Sequence, residues 1–160
     1  MRVVIQRVHN ASVTVRDEVL ATIGRGLLLF LAVQKEDRDE DIAYIVDKVV
    51  NLRIFPNTSG KFDYSAKDVN ASLLIISQFT LYGDTRKGRR PSFTESAPTA
   101  KAVGIFSETI KQFQLTDLNV SHGPFQESMQ ISLVNDGPVT IIIDSADRLI
   151  PRKTSRFEKA

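Results

Sequence analysis

Leu27 to Val33 is an uninterrupted apolar run, and Leu73 to Ile76 is a second. Runs this short suit strands better than helices, and a strand without polar alternation has to be covered on both faces. A chain built around such strands therefore needs packed material on either side of its sheet. That requirement narrows the fold more than any other feature.

The rest of the chain supplies it. Val3 to Val8 reads as a strand by its β-branched content. Ser12–Arg16 and Val19–Ile23 alternate around Asp17-Glu18 as a hairpin with one buried face. Glu36 to Asp41 opens a helix with acid where the N-terminal dipole favours it, and Ile42, Ile45, Val46, Val49 and Leu52 follow at helical spacing. Ile54-Phe55 is a short strand before the loop residues Pro56 to Gly60. A second helix starts at Ser96 to Pro98, with an expected apolar face of Val103, Phe106, Ile110 and Phe113. Met129, Ile131 and Leu133 alternate, Asn135-Asp136-Gly137-Pro138 reads as a turn, and Val139 to Ile143 returns. Two helices and about eight strands in mixed order predict a layered α/β protein rather than a doubly wound one.

At 160 residues a chain buries about 70% of its unfolded surface and folds without metal or disulfide. It has no cysteine, which excludes disulfides, thiolate chemistry and cysteine-bound zinc, and two histidines, His9 and His122, are too few for an all-histidine site. Cofactors are expected to be none. Neither a leader peptide nor a membrane span is apparent, so a cytoplasmic protein is expected. With a net charge of +2, any contact with nucleic acid has to come from local clusters. The expected domain covers 1–144, and the basic tail 145–160 reads as flexible.

One such cluster follows the second apolar run. Ser77, Gln78 and Thr80 end the strand, and Arg86, Lys87, Arg89 and Arg90 crowd the next loop. A rigid strand here delivers hydroxyl and amide groups beside positive charge, as a site for a polyanion carrying a small reactive group would require. On residue type alone the plainer reading is favoured: such side chains often only satisfy nearby backbone, and such loops are usually just solvated. The Gly83 to Gly88 spacing resembles a phosphate loop, but Arg89-Arg90 replaces its Lys-Ser/Thr pair.

The Asp-Gly turn carries a second peculiarity. In a two-residue hairpin the closing N–H would belong to Pro138, which has none. Either Pro138 merely begins an edge strand, or the loop takes another shape, a cis Gly137–Pro138 bond being one, and displays backbone carbonyls as fixed acceptors. Local geometry favours neither.

Ser77-Gln78-Phe79-Thr80-Leu81 and Asn135-Asp136-Gly137-Pro138-Val139-Thr140 together resemble the two signature segments of the D-aminoacyl-tRNA deacylases, also called D-tyrosyl-tRNA deacylases. Ile5-Gln6-Arg7-Val8, Ala11-Ser12-Val13, Arg53-Ile54-Phe55 and Arg90-Pro91-Ser92-Phe93 are similar to the family as well, so the likeness spans roughly 1–144. Two departures stand out. Phe125-Gln126-Glu127-Ser128-Met129 replaces a segment that is Gly- or Ala-rich in many members, and Arg89-Arg90 replaces a single common basic residue.

The resemblance implies a three-layer α/β/β single domain with mixed and antiparallel strands and two main helices. It implies hydrolysis of the ester between a D-amino acid and tRNA, with glycyl-tRNA mischarged on the alanine tRNA as a further substrate, as chirality proofreading in translation. Ser77, Gln78 and Thr80 would be the catalytic set; Thr80 as nucleophile ranks below Thr80 as a water-orienting or structural group, since no neighbouring base activates it. Phe79, Leu81, Phe125, Met129, Asn135, Gly137, Pro138, Val139 and Thr140 would contact substrate, although apolar alternation reads Phe79 and Phe93 as core. The Gly137 and Pro138 carbonyls, inserted from the partner of a homodimer, would form the wall rejecting L-amino acids, and the 2′-hydroxyl of the tRNA would assist. Arg86, Lys87, Arg89 and Arg90 would meet tRNA phosphates. The competing reading is a non-enzymatic RNA-binding module of the same fold.

Overall fold

The computed structural model describes residues 1–150. β1 (Arg2–Val15) turns through Arg16 and Asp17, both at positive φ, into the antiparallel β2 (Glu18–Ile23). β3 (Gly26–Ala32) runs back along the first half of β1. β6 (Ser72–Ser77) pairs in parallel with β3, and β7 (Val120–His122) in parallel with β6. β8 (Gln130–Asp144) lies antiparallel along the opposite side of β1. β4 (Phe55–Pro56) and β5 (Phe62–Tyr64) make a separate small sheet. The result is a mixed sheet ordered β2-β1-β3-β6-β7, with β8 joined to β1.

The two apolar runs do what their composition requires. Leu27, Leu29, Leu31, Leu73 and Ile75 point to one side of the sheet, where α1 (Asp39–Asn51) and α2 (Thr99–Gln114) cover them with Ile42, Ile45, Val49, Phe106, Ile110 and Phe113. Leu28, Leu74 and Ile76 point to the other, against Val8, Ala11, Val13 and Ile23 from the far half of β1 and from β2. Helices, central strands and an outer β layer give the expected α/β/β arrangement. α1 starts where its acidic first turn suggests: the Asp41 carboxylate accepts the Arg38 N–H at 3.0 Å. In α2, Val103 is exposed and Thr109 is buried, so the inward face is Phe106, Thr109, Ile110 and Phe113.

The expected hairpin at Asn135–Pro138 does not form. β8 is one continuous strand, and between the pairs Val8↔Asn135 and Gln6↔Thr140 it spends four residues, 136–139, where β1 spends only Arg7. The extra residues protrude as a bulge. Asn135 supplies the closure that Pro138 cannot: its Oδ1 accepts the Val139 N–H at 2.7 Å and its Nδ2 donates to the Val139 carbonyl at 3.1 Å. Likewise the expected strand Val3–Val8 and all of Ser12–Arg16 except Arg16 itself, which begins the turn, belong to one strand, β1.

Beyond β8, Ser145–Leu149 form a 3-10 turn docked on α1, with Ser145 buried. The Met1 ammonium reaches both Ser145 Oγ and Asp37 Oδ1 at 2.5 Å, and Arg148 pairs with Asp41 at 3.3 Å. Burial pushes the Asp37 carboxyl above its ordinary pKa despite that ammonium. Burial acts the same way on Asp41, but hydrogen bonds from Ser145 and the Arg38 N–H, with the nearby positive charges, outweigh it and hold Asp41 below its ordinary value. The remainder of the expected basic tail, 151–160, lies outside the described residues.

Candidate active site

β6 ends at Ser77, and the chain tightens into a 3-10 turn, Phe79–Tyr82, in place of further strand. Gln78 is still held to the sheet by its N–H on the Leu31 carbonyl, at 2.7 Å. The turn is clamped from outside by Arg2, whose guanidinium lies 4.7 Å from the Tyr82 ring centre, donates to the Leu81 carbonyl at 2.7 Å and pairs with Asp144 at 2.9 Å. Burial, with Asp37 and Asp144 nearby, raises the pKa of the Tyr82 phenol.

A cavity of about 600 Å3 opens at this strand end. Ser77, Gln78 and Phe79 form one wall, and Phe125 and Met129 lie in the wall facing the helix layer and β8. These five expected residues are brought together. Phe79 is 55% exposed, with its ring edge-on to Phe93 at 5.0 Å, so it belongs to the cavity and not to the core. The Phe125 ring leans on Phe106 of α2 at 5.6 Å.

Thr80 and Leu81 lie outside the lining. The Thr80 hydroxyl accepts the Gln78 side-chain amide at 2.5 Å, an arrangement that orients Gln78 and places no base on Thr80. The Leu81 carbonyl is taken up by Arg2. Sequence reasoning missed the wall contributed by the first turn of α2 and the residues just before it. Ser96 and Thr99 line the cavity, Ser96 Oγ donates to the Phe79 carbonyl at 3.1 Å, and the Ala97 N–H donates to Val33 at 2.9 Å. Pro98 as the residue capping α2 was the available signal, but no motif tied it to the site. Gln126, Glu127 and Ser128 also line the cavity; Gln126 adopts a φ of 64°.

The second segment stands apart from this cavity. None of Asn135, Gly137, Pro138, Val139 and Thr140 is among its lining residues. Val139 is buried in the helix-side core and anchors the bulge, while Gly137 and Pro138 are exposed at its tip, joined by a cis peptide bond. Gly137 has a φ of 130°, and a Cβ there would lie 2.7 Å from Val139 Cγ2 and 2.9 Å from Arg7 Nη2, so only glycine fits. Arg7 braces the bulge from beneath: its Nε is 3.0 Å from Asp136 Oδ2 and 3.2 Å from the Asp136 carbonyl, and its Nη1 donates to the Ile54 carbonyl. Thr140 Oγ1 accepts from Gln6 at 3.2 Å and from Asn135 at 3.3 Å. His9 lies against Asp136 at 3.4 Å, and His122 against the Gly123 carbonyl at 3.1 Å.

The basic loop is an exposed excursion closed by a bridge between Asp84 and Ser92. Arg86 folds back on Asp84, pairing at 2.7 Å, while Lys87, Arg89 and Arg90 are exposed. Among the described residues no group of three His, Cys, Asp or Glu side chains is placed to hold a metal ion, and no helix is long and apolar enough to cross a membrane.

Residues 4–144 match the family described as D-Tyr-tRNA(Tyr) deacylase. The chain is 52% identical over 145 residues to a D-aminoacyl-tRNA deacylase of Thermosipho africanus, a match covering 91% of this chain and 97% of the relative. It is 45% identical over 153 residues to the D-aminoacyl-tRNA deacylase of Dictyoglomus turgidum, covering 96% and 98%. A solved structure named c-Myc DNA Unwinding Element Binding Protein superposes with a TM-score of 0.85 at 38% identity, over 90% of this chain and 98% of that one. Another solved chain, 17% identical with a TM-score of 0.77, speaks for the fold alone. By fold, by both sequence segments and by the extent of these matches, the chain belongs to the D-Tyr-tRNA(Tyr) deacylase family.

Proposed function

We propose that this protein hydrolyses the ester joining a D-amino acid to the 3′ end of tRNA, releasing free amino acid and tRNA. The observation that carries the reading is the cavity at the end of β6, which Ser77, Gln78 and Phe79 line together with Phe125 and Met129. An aminoacyl ester is already activated. Water adds to its carbonyl carbon, the bond to the ribose oxygen breaks, and that oxygen takes up a proton. The site then has to orient water and stabilise an oxyanion without a strong acid or base. The N–H of Phe79, first in the Phe79–Tyr82 turn and a residue of the cavity wall, has no partner within the turn and is suited to receive the oxyanion. The tRNA 2′-hydroxyl assists water.

Chirality is read by the Gly137 and Pro138 carbonyls of a second copy of the chain. A wall of main-chain oxygens that binds the ammonium leaves room for the side chain of one configuration only; glycine, having none, is also accepted. Two features support a homodimer: the exposed bulge tip lies outside its own cavity's walls, and the outer edge of β8 has no strand pairing among the described residues. Lys87, Arg89 and Arg90, with Arg86, meet tRNA phosphates, a contact that weakens with salt. A cytoplasmic site of action follows from the substrate.

The test is ester loss from D-tyrosyl-tRNA and L-tyrosyl-tRNA incubated with the protein. Rapid loss of the D-ester alone is expected; equal cleavage of both, or of neither, defeats the reading. Salt-sensitive tRNA binding without hydrolysis would favour the non-enzymatic nucleic-acid module, which the name of the 38% identical solved relative brings to mind. Mixed dimers of a Gln78→Ala protomer with a Pro138→Ala protomer should recover activity through the one site that is intact.

A further inference from the structure

Glu127 is the one ionisable side chain among the described residues lining the cavity; its other polar neighbours there are neutral hydroxyls and amides. It lines the cavity while staying partly open to solvent. Glu127 is 44% exposed, and Oε2 lies 3.5 Å from Nη2 of Arg16, which is itself 85% exposed in the turn between β1 and β2. A pair that long and that open holds its partners weakly and leaves the carboxylate available to a third group.

A carboxylate is an unexpected wall for a cavity that receives the end of a polyanion, since every phosphate nearby is repelled by it. It becomes favourable when the incoming amino acid carries positive charge beyond its α-ammonium. The ammonium is tied to the carbon beside the scissile carbonyl, close to Ser77 and Gln78, whereas a long cationic side chain can extend from there toward Glu127. Resting on the deacylase reading, we propose that Glu127 makes this site selective by charge: it favours D-lysyl and D-arginyl esters and disfavours D-aspartyl and D-glutamyl esters. Gln126, at φ 64°, turns the backbone at the position just before Glu127, and Arg16 tempers the selectivity by competing for the same carboxylate.

The experiment charges one tRNA separately with D-lysine, D-aspartate and D-tyrosine and compares kcat/KM across the wild type, Glu127→Gln, Glu127→Lys and Arg16→Ala. The D-lysyl to D-aspartyl ratio should fall about tenfold in Glu127→Gln, as expected for losing one attraction and one repulsion at a half-exposed site. It should invert in Glu127→Lys and rise in Arg16→Ala. The change should lie in KM and shrink as salt is raised. A merely structural Glu127 would shift all three substrates alike. An unchanged ratio in both Glu127 variants, with D-tyrosyl-tRNA still cleaved by the wild type, overturns the inference alone. Failure of the wild type to cleave any of the three overturns the deacylase reading and this inference with it.

Discussion

Arg7 and Asp136 face each other at 3.0 Å from adjacent strands, with the arginine side chain only 6% exposed. The pair sits beneath the Gly137–Pro138 tip, so one buried guanidinium fixes both carbonyl and carboxylate of the residue that begins the bulge. Replacing Arg7 by Met keeps much of its volume but strands the Asp136 carboxylate. A loss of about 3–5 kcal/mol is expected from breaking such a pair, read as a lower urea midpoint with an unchanged slope. D-aminoacyl ester hydrolysis should fall as well, because the tip loses its brace. A change below about 1 kcal/mol would mean the pair contributes no more than a surface one.

Thr80→Ala should retain most of the hydrolytic activity. The hydroxyl orients the Gln78 amide and meets no base, so its removal loosens one side chain and deletes no nucleophile. A few-fold decrease in kcat/KM is the expected outcome for a positioning contact; a drop of about a thousandfold or more in a folded variant would make Thr80 a reacting group.

Gly26→Ala should damage the fold without touching the site. A Cβ at Gly26 would stand 1.9 Å from the Ser72 carbonyl oxygen, in the parallel pairing of β3 and β6 that fixes the central strands. Backbone cannot swing aside as a side chain can, so a loss of about 3 kcal/mol or more is expected on thermal or urea unfolding. Near-neutral behaviour would show that the two strands separate easily at this end.

Asp84 should titrate well below other carboxylates. Hydrogen bonds from the Arg86 side chain and then from its backbone N–H hold the Asp84 pKa down to about 2. A depressed carboxylate of this kind orders the loop above its ordinary value of 3.8, and that order is lost as pH falls through about 2. Carboxyl-carbon NMR should report the low midpoint, and Arg86→Ala should return it upward. A midpoint near the ordinary value in the wild type would free Arg86 from Asp84.

The parts of this fold that could be read in advance are those where one physical demand dominates. Leu27–Val33 and Leu73–Ile76 have no polar face to offer and became two-sided strands, and the spacing of Ile42, Ile45 and Val49 admits only a helix. Punctuation misled where a side chain took over a backbone role. Asn-Asp-Gly-Pro carries the Asp-Gly mark of a hairpin turn but lacks the closing N–H at Pro138; the Asn135 amide closes the loop onto Val139 instead, and the strand continues in its original direction. β5 is three residues long and carries no periodicity to detect. Phe79 alternates as a core residue would, yet the 3-10 turn rotates it out to the cavity. Ser96 and Thr99 reach the site only because α2 begins beside the end of β6, a consequence of packing with no local trace.

β1 contributes Val3 and Ile5 to the core beneath the helices, and Val8, Ala11 and Val13 to the core on the opposite side. A single strand thus threads both, and the Gly137–Pro138 bulge of β8 stands opposite Arg7, between its two halves. Neither layer can melt while the other stays intact, because each would have to let go of the same backbone. Heating should dissolve cavity, bulge and outer layer at one temperature, leaving no half-open intermediate with one face of the sheet packed and the other molten.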